Sequence, residues 1–444
     1  MSGVDDKVLY GRAFEAVVWG MPAVNYRLMY DAGSRPGTPG SNKIVWWPGL
    51  MDWQNQSLTP NPDVIYVMPF FDTTNGPVVL EIPAATDTCS INGSVMNYWQ
   101  AAIEDVGSAG LDNGAGAKYL ILPPGYTGII PDGYTLLQSD TVQGYAMVRS
   151  TPTDHSPESI DAAVAYAEQV ALYPYTPDGA TGQTIRVSVL GKSFDAEIPY
   201  DDSYFATLNT LVQAEPWLER DRALIDTLSS LGITQGETYA PDQATLDILT
   251  TAIGDAKTWL DARYENLFTT PRWPGTHWSV PVLPELNTST TNGFTLRSSY
   301  PLDDRGLAFT YAFFSPRHLG KGQSYLMALA DQNGDPLDGG QRYRLTVPKD
   351  VPVSQYWSLT AYDRGTHTFL RTDRLSSCSL DTSLDLNEDG TVDLYLAPAL
   401  PDGVKESNWI TTLDSTGFEV MFRLYGPQQA YTDGTWTLPD LQRL

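Results

Sequence analysis

The chain has 444 residues, 42% of them hydrophobic, and carries 53 acidic against 27 basic side chains for a formal net charge of −26. That length exceeds one ordinary core and calls for two or three domains. A surface this negative repels phosphate backbones and anionic lipid, which excludes nucleic acid and the membrane surface as general partners.

The acidic excess is spread along the chain, the pattern of a solvated surface; adaptation to a saline medium is the sharper alternative. The chain opens without a basic-then-apolar leader, and no apolar run is long enough to span a membrane. Cytoplasmic location is therefore the default expectation, although a trimmed secreted or periplasmic protein would read the same. Cys89 and Cys378 stand far apart and neither lies in a CxxC, so no cysteine zinc site is expected and no disulfide is implied.

Asp5 to Tyr30 reads as a helix, with Leu9, Ala13, Phe14, Val17 and Val18 at helical spacing and Met21-Pro22 predicting a kink or an end. A loop follows from Asp31 to Gly40 through Pro36 and Pro39, then a short strand from Lys43 to Trp47. Two apolar runs, Val64–Phe71 and Val78–Ile82, flank Asn75-Gly76, and Asn-Gly between apolar runs predicts a hairpin because both residues tolerate positive φ. Asn61, Pro62 and Asp63 stand at the mouth of its first strand. A strand lies within Cys89–Ala102, a Gly-rich loop spans Gly107–Gly116, and short strands cover Lys118–Leu122 and Gly144–Arg149. The Gly loop precedes its strand, the wrong order for cradling a phosphate.

From Ser156 the chain turns helical. Ser156 is a helix cap with Pro157 at the first helical position. After a β excursion at Thr184–Ile198, further helices are expected at Asp202–Ala214, Pro216–Leu231 (stopped by Gly232) and Pro241–Phe268. Pro271–Asn292 reads as an exposed loop, rich in Ser and Thr and open to proteolysis. Beyond it, alternating strands at Gln341–Val347, Tyr356–Tyr362, Thr391–Leu396 and Phe418–Tyr425 suggest an antiparallel β-sandwich of jelly-roll type. In the last of these, Phe418, Val420, Phe422 and Leu424 face one way, and Glu419, Met421, Arg423 and Tyr425 the other. The predicted fold is multidomain α+β: a mixed α/β domain over 1–155, a mainly helical region over 156–293 and the jelly-roll-like domain over 294–444.

The blocks PNPDVIYVMPFFDTTNGPVVLEIP, YLILPPGY and GYAMVRS resemble the domain-of-unknown-function family 1254. YPLDDRGLAFTYAFF, GGQRYRLTVPKDVP, YWSLTAYD, DGTVDLYLAP and FEVMFRLYGP resemble its usual partner, family 1214. The resemblance implies a mixed N-terminal domain joined to a jelly-roll-like C-terminal one, often oligomeric, and supplies no reaction. Many members of the family carry export signals, and this chain opens without one.

The histidines His155, His277, His318 and His367 form none of the paired spacings of a metal site, and His367 reads as a strand-end residue. Asp385, Asn387, Asp389 and Asp393 have the oxygen spacing of a calcium loop, but Leu396 stands where its closing glutamate belongs, so an acidic β-turn competes with calcium binding. No other cofactor is expected. Polar residues set among aromatics mark a ligand pocket between the domains: Asn61, Asp63, Tyr66, Tyr98, Trp99, Arg149, Arg305, Trp357, Tyr362, Asn408, Trp409 and Arg423. Asp63, Tyr66 and Tyr362 are the catalytic candidates, with Asp63 as a base or as an anchor for Arg149 or Arg305. Three functions follow: an enzyme doing hydrolytic or acid–base chemistry on a small organic molecule, a carbohydrate- or ligand-binding module, and a self-assembling β-rich protein. The aromatic content and an open strand edge predict a homo-oligomer.

Overall fold

The computed structural model describes residues 3–34, 40–312, 316–318 and 322–444, so Pro36 and Pro39 of the expected loop lie outside the described residues. The first helix, Gly3–Ala32, continues without a break past Pro22. Proline cannot donate to the carbonyl four residues back, here that of Val18. At that point the helix Leu302–Tyr311 crosses so closely that a Cβ on Gly306 would lie 2.6 Å from the Val18 oxygen. Tertiary packing therefore holds the helix where local chemistry predicts a break. Ser203–Ala214 and Gln243–Asn266 also pack on it. No helix of the described residues is long and apolar enough to cross a membrane.

That first helix covers one face of a six-stranded sheet, in the order Ile185–Ser188, Lys43–Trp46, Ile65–Asp72, Gln143–Ser150, Ile91–Asn97 and Ala102–Gly107. Alternation along Ile65–Asp72 turns Tyr66, Met68 and Phe70 toward the helices. It turns Ile65, Val67 and Phe71 toward a second sheet of Ala171–Pro174, Val78–Ile82, Ala117–Leu122 and Thr135–Gln138. The turn expected at Asn75-Gly76 exists, with Gly76 at φ +126 and its N–H donating to Thr73 O at 3.0 Å. The two strands it joins do not pair: one lies in each sheet. The reason is burial on both faces. Ile65–Phe71 is buried at every position, so it must sit between two covering layers, and the chain leaves it for the next layer.

The expected caps at Ser156 and Gly232 are both present. Ser156 accepts from the Ser159 N–H, and Gly232 takes the left-handed conformation at φ +80. Pro271–Asn292 is not the loose loop predicted. Trp278 is wholly buried in the C-terminal core with its indole N–H on Pro439 O at 2.9 Å, and Pro284–Thr291 is a helix. The helix Leu302–Tyr311, assigned from the sequence to the C-terminal domain, packs instead on the first helix.

The C-terminal strands make two four-stranded sheets. One is antiparallel, in the order Gln323–Ala328, Phe418–Tyr425, Trp357–Asp363 and Ser376–Cys378. The other is mixed, in the order Trp409–Thr411, Val392–Ala397, Tyr343–Val347 and Gln442–Arg443. They share a core that includes Leu345, Leu394, Val420 and Phe422. The strand Phe418–Tyr425 is buried at all eight positions. Its other face, with Met421 and Tyr425, joins the core of the N-terminal helices and sheet.

Candidate ligand cavity between the two sheet systems

Strand register sets polar rows on the inner face of each sheet. In the N-terminal sheet Tyr66 lies opposite Arg149, and Arg149 opposite Asn92; the next row holds Met147, Ser94 and Asp105. In the C-terminal sheet Tyr325 lies opposite Arg423. Where these faces meet lies a cavity of about 440 Å³. That volume falls within the roughly 300–1,000 Å³ of small-molecule sites. Leu286, Phe309 and Tyr311, from the two helices beyond Trp278, close one side.

Arg423 is 2% exposed. Its Nη1 donates to Thr360 Oγ1 at 2.8 Å, and its Nη2 to Thr59 O at 3.0 Å, to Pro60 O at 3.2 Å and to the Tyr362 hydroxyl. All of these partners are neutral. Burial works against its charge, but the oxygens of Tyr362, Tyr425 and Tyr325 outweigh that and hold its pKa above the ordinary guanidinium value. Arg149 approaches from the other sheet, 5.2 Å over the Tyr66 ring and 3.5 Å from Gln323 Oε1.

Thr59 is fixed from every side. Its N–H reaches His367 O at 2.7 Å, its hydroxyl reaches Tyr311 O at 2.7 Å, and its carbonyl accepts from Arg423. It sits at φ +36, a region that β-branched residues avoid, and such strain collects where ligands are held. Asn61 links both sides of the cavity. Its Nδ2 donates to the hydroxyls of Tyr356 and Tyr425, each at 2.8 Å, and its N–H donates to Tyr66 Oη at 3.1 Å. Asp105 is taken up by Ser94 and by the main-chain N–H groups of Arg317 and His318, at 2.9 and 2.7 Å. Burial and then the neighbouring Tyr425 push the Tyr325 hydroxyl well above its usual range, which keeps it a proton donor.

Of the residues expected at a pocket, Asn61, Tyr66, Arg149 and Arg423 line this cavity, and Tyr362 touches it through Arg423. The rest stand elsewhere. Asp63 turns away, accepting from Ser376 Oγ at 2.7 Å, and among the described residues it meets no arginine. Tyr98 packs on Tyr26 at 4.3 Å and Trp99 on Trp19 at 4.6 Å, under the first helix. Arg305 is held there too, donating to Trp99 O at 2.6 Å and to the Tyr300 hydroxyl, with Phe294 4.4 Å away. Trp357 stacks on Phe422 at 5.6 Å inside the C-terminal core, and Trp409 donates to Ala397 O.

Asn408 pins the acidic turn, donating to Asp385 O and Asp393 O at 3.0 Å each. The four oxygens of the calcium-loop pattern are engaged separately. Asp385 pairs with Lys405 at 2.7 Å, Asn387 and Asp389 bond Thr391, and Asp393 accepts from Thr346. They form the acidic turn and do not converge. The sequence reading missed Tyr325, Gln323, Ser94 and Asp105; the alternation of Gln323–Ala328 was the available signal for the first two.

The fold and cavity define a two-part α+β protein with an arginine-bearing chamber at the seam between its sheet systems. Residues 41–174 match the family described as protein of unknown function (DUF1254), and residues 322–429 the family described as protein of unknown function (DUF1214). The crystal structure of the VPA0106 protein from Vibrio parahaemolyticus is similar over 98% of this chain and 100% of its own, at 16% identity and a TM-score of 0.60. That likeness is one of fold. An uncharacterised protein from Burkholderia cenocepacia aligns over 99% of this chain and 96% of its own at 12% identity and a TM-score of 0.43, too low to carry an argument. No curated protein matches the chain.

Proposed function

We propose that this protein binds a small organic anion in the cavity. The charged end lies between Arg423 and Arg149, and the apolar body lies against Leu58, Val106, Leu286 and Phe309. The observation that supports this most is Arg423: a guanidinium with only neutral hydrogen-bond partners among the described residues, buried at a cavity wall. An arginine cannot shed its proton in a protein, so its charge calls for an anion. A carboxylate is the fitting head group, since the guanidinium fork meets it with two parallel bonds. Tyr325 places a phenol beside that head group, which suits general-acid chemistry on a bound carbonyl.

The net charge of −26 opposes any anion at long range. In physiological salt that field is screened within about 8 Å, so the arginines at the site decide the local balance. A carbohydrate-binding reading needs an open aromatic shelf, but Trp357 is spent inside the core and Trp409 on a main-chain carbonyl. We also propose that the two C-terminal sheets form a sandwich of jelly-roll type, which their shared core supports.

Native mass spectrometry of the purified protein, followed by thermal-shift measurements with benzoate, octanoate, phenyl phosphate and glucose, tests the reading. Stabilisation by the carboxylates and not by glucose is expected. Phenyl phosphate acting alone would move the class to phosphate esters, and glucose acting alone would overturn the proposal.

A further inference from the structure

We propose that Asp63, His155 and Cys378 form a zinc-type metal site that ties the two family regions together. One donor atom from each lies within 4.8 Å of the other two. Asp63 precedes the strand Ile65–Asp72, His155 precedes the Ser156 cap, and Cys378 ends the strand Ser376–Cys378. The first two therefore come from the region 41–174 and the third from the region 322–429.

The three donors stand close enough for side-chain rotations to bring them onto one ion. Cys378 Sγ lies 3.6 Å from His155 Nδ1 and 3.8 Å from Nε2, beside the ring and off the Nδ1 lone pair, so the thiol or the ring turns to take an ion. His155 Nε2 lies 3.2 Å from the main-chain oxygen of Asp63. A carbonyl only accepts, so Nε2 carries the proton and Nδ1 keeps its lone pair for the ion. That is the outer contact that fixes the tautomer of a metal-binding histidine. The Asp63 carboxylate is held in a similar way. Oδ1 accepts from Ser376, while Oδ2 is buried with no hydrogen-bond partner among the described residues. Asp63 is 3% exposed and Cys378 2%.

A set of one oxygen, one nitrogen and one sulfur suits zinc rather than magnesium or calcium, which take oxygen. Three protein ligands leave the fourth tetrahedral position open. On binding, the Cys378 thiol proton leaves to solvent and the thiolate becomes the ligand. Cys378 does not line the cavity that holds Arg423, which separates it from a substrate bound there. The ion would also fix the turn Asn61-Pro62-Asp63, in which the Asp63 N–H donates to Asn61 Oδ1 at 3.1 Å. The site stands independently of anion binding, since none of its three ligands lines the cavity.

Cobalt(II) is the probe, added to the full chain after dialysis against a chelator under reducing conditions. One equivalent should bind with the intense near-ultraviolet absorption of a thiolate–cobalt bond. The band should vanish in Cys378→Ser and persist in Cys89→Ser, Cys89 being the chain's other cysteine. Asp63→Asn, which keeps shape, should bind cobalt roughly tenfold more weakly yet retain the band, and it serves if Cys378→Ser fails to fold. Absence of the band in the wild type, its survival in Cys378→Ser, or unchanged affinity in Asp63→Asn would overturn the proposal.

Discussion

Glu419 and Arg423 stand four residues apart on one face of the strand Phe418–Tyr425, both buried, and they are treated in opposite ways. Glu419 is fully met: His367 Nδ1 at 2.8 Å, the Tyr264 hydroxyl at 2.9 Å and Arg364 at 3.8 Å. Arg423 has hydroxyls and carbonyls, and beyond them a cavity. A third buried group, Glu215, shows the other way out. It has two main-chain N–H partners, Val142 and Gln143, and no cation among the described residues; burial pushes its pKa up to about 8 despite those bonds. A carboxyl lacking a counter-charge can take up a proton, but a guanidinium cannot lose one. The paired charge has its counter-ions in the fold, and the cation at the cavity has none among the described residues, which is why a ligand is proposed for it.

The largest effect expected is at the paired charge. Glu419→Ala strands His367, Tyr264 and Arg364, and breaking a buried pair costs about 3–5 kcal/mol. Urea unfolding should show a loss of that size; a loss below about 1 kcal/mol would mean that the cluster is not a structural knot.

Arg423→Met should part stability from binding. The variant loses the bonds to Thr59 O and Thr360 Oγ1, a cost of about 1–3 kcal/mol, while carboxylate binding weakens at least about tenfold. A collapse in melting temperature without ligand would assign Arg423 to structure, as Glu419 is.

Glu215 adds a pH test. Its folded pKa, about 8, lies above its ordinary 4.5, so the folded state holds the proton more tightly. Its stabilising contribution is complete below about 4.5 and is lost as pH rises to about 8. The slope can approach about 1.4 kcal/mol per pH unit. In Glu215→Gln the decline of stability across that window should flatten; an unchanged profile would place the titration elsewhere.

The smallest effect is at the acidic turn. Asp385 and Lys405 are 59% and 57% exposed, and such pairs contribute about 0–1 kcal/mol. Asp385→Asn should be near neutral, with calcium leaving its melting temperature unmoved.

Much of this was legible in the chain. The alternation of Phe418–Tyr425 showed two faces, and an arginine inside each of two apolar strands marked the cavity. Aromatic residues misled, because Trp357 in a core and Tyr66 at a cavity look alike along the chain. Asn75-Gly76 told where the chain turns but not that the next strand would join another sheet. Asp63 and Cys378 meet His155 from 92 and 223 positions away, a juxtaposition that no local spacing encodes. Pro22 read as a break because nothing nearby shows that Gly306 lets a second helix brace it.

Isothermal titration of benzoate into the wild type and Arg423→Met tests the central claim most directly. The account predicts one site in the wild type, weakening as salt is raised, and at least roughly tenfold weaker binding in a variant that remains folded at the titration temperature. Equal affinity in the two proteins, or no carboxylate binding by the wild type, would contradict it.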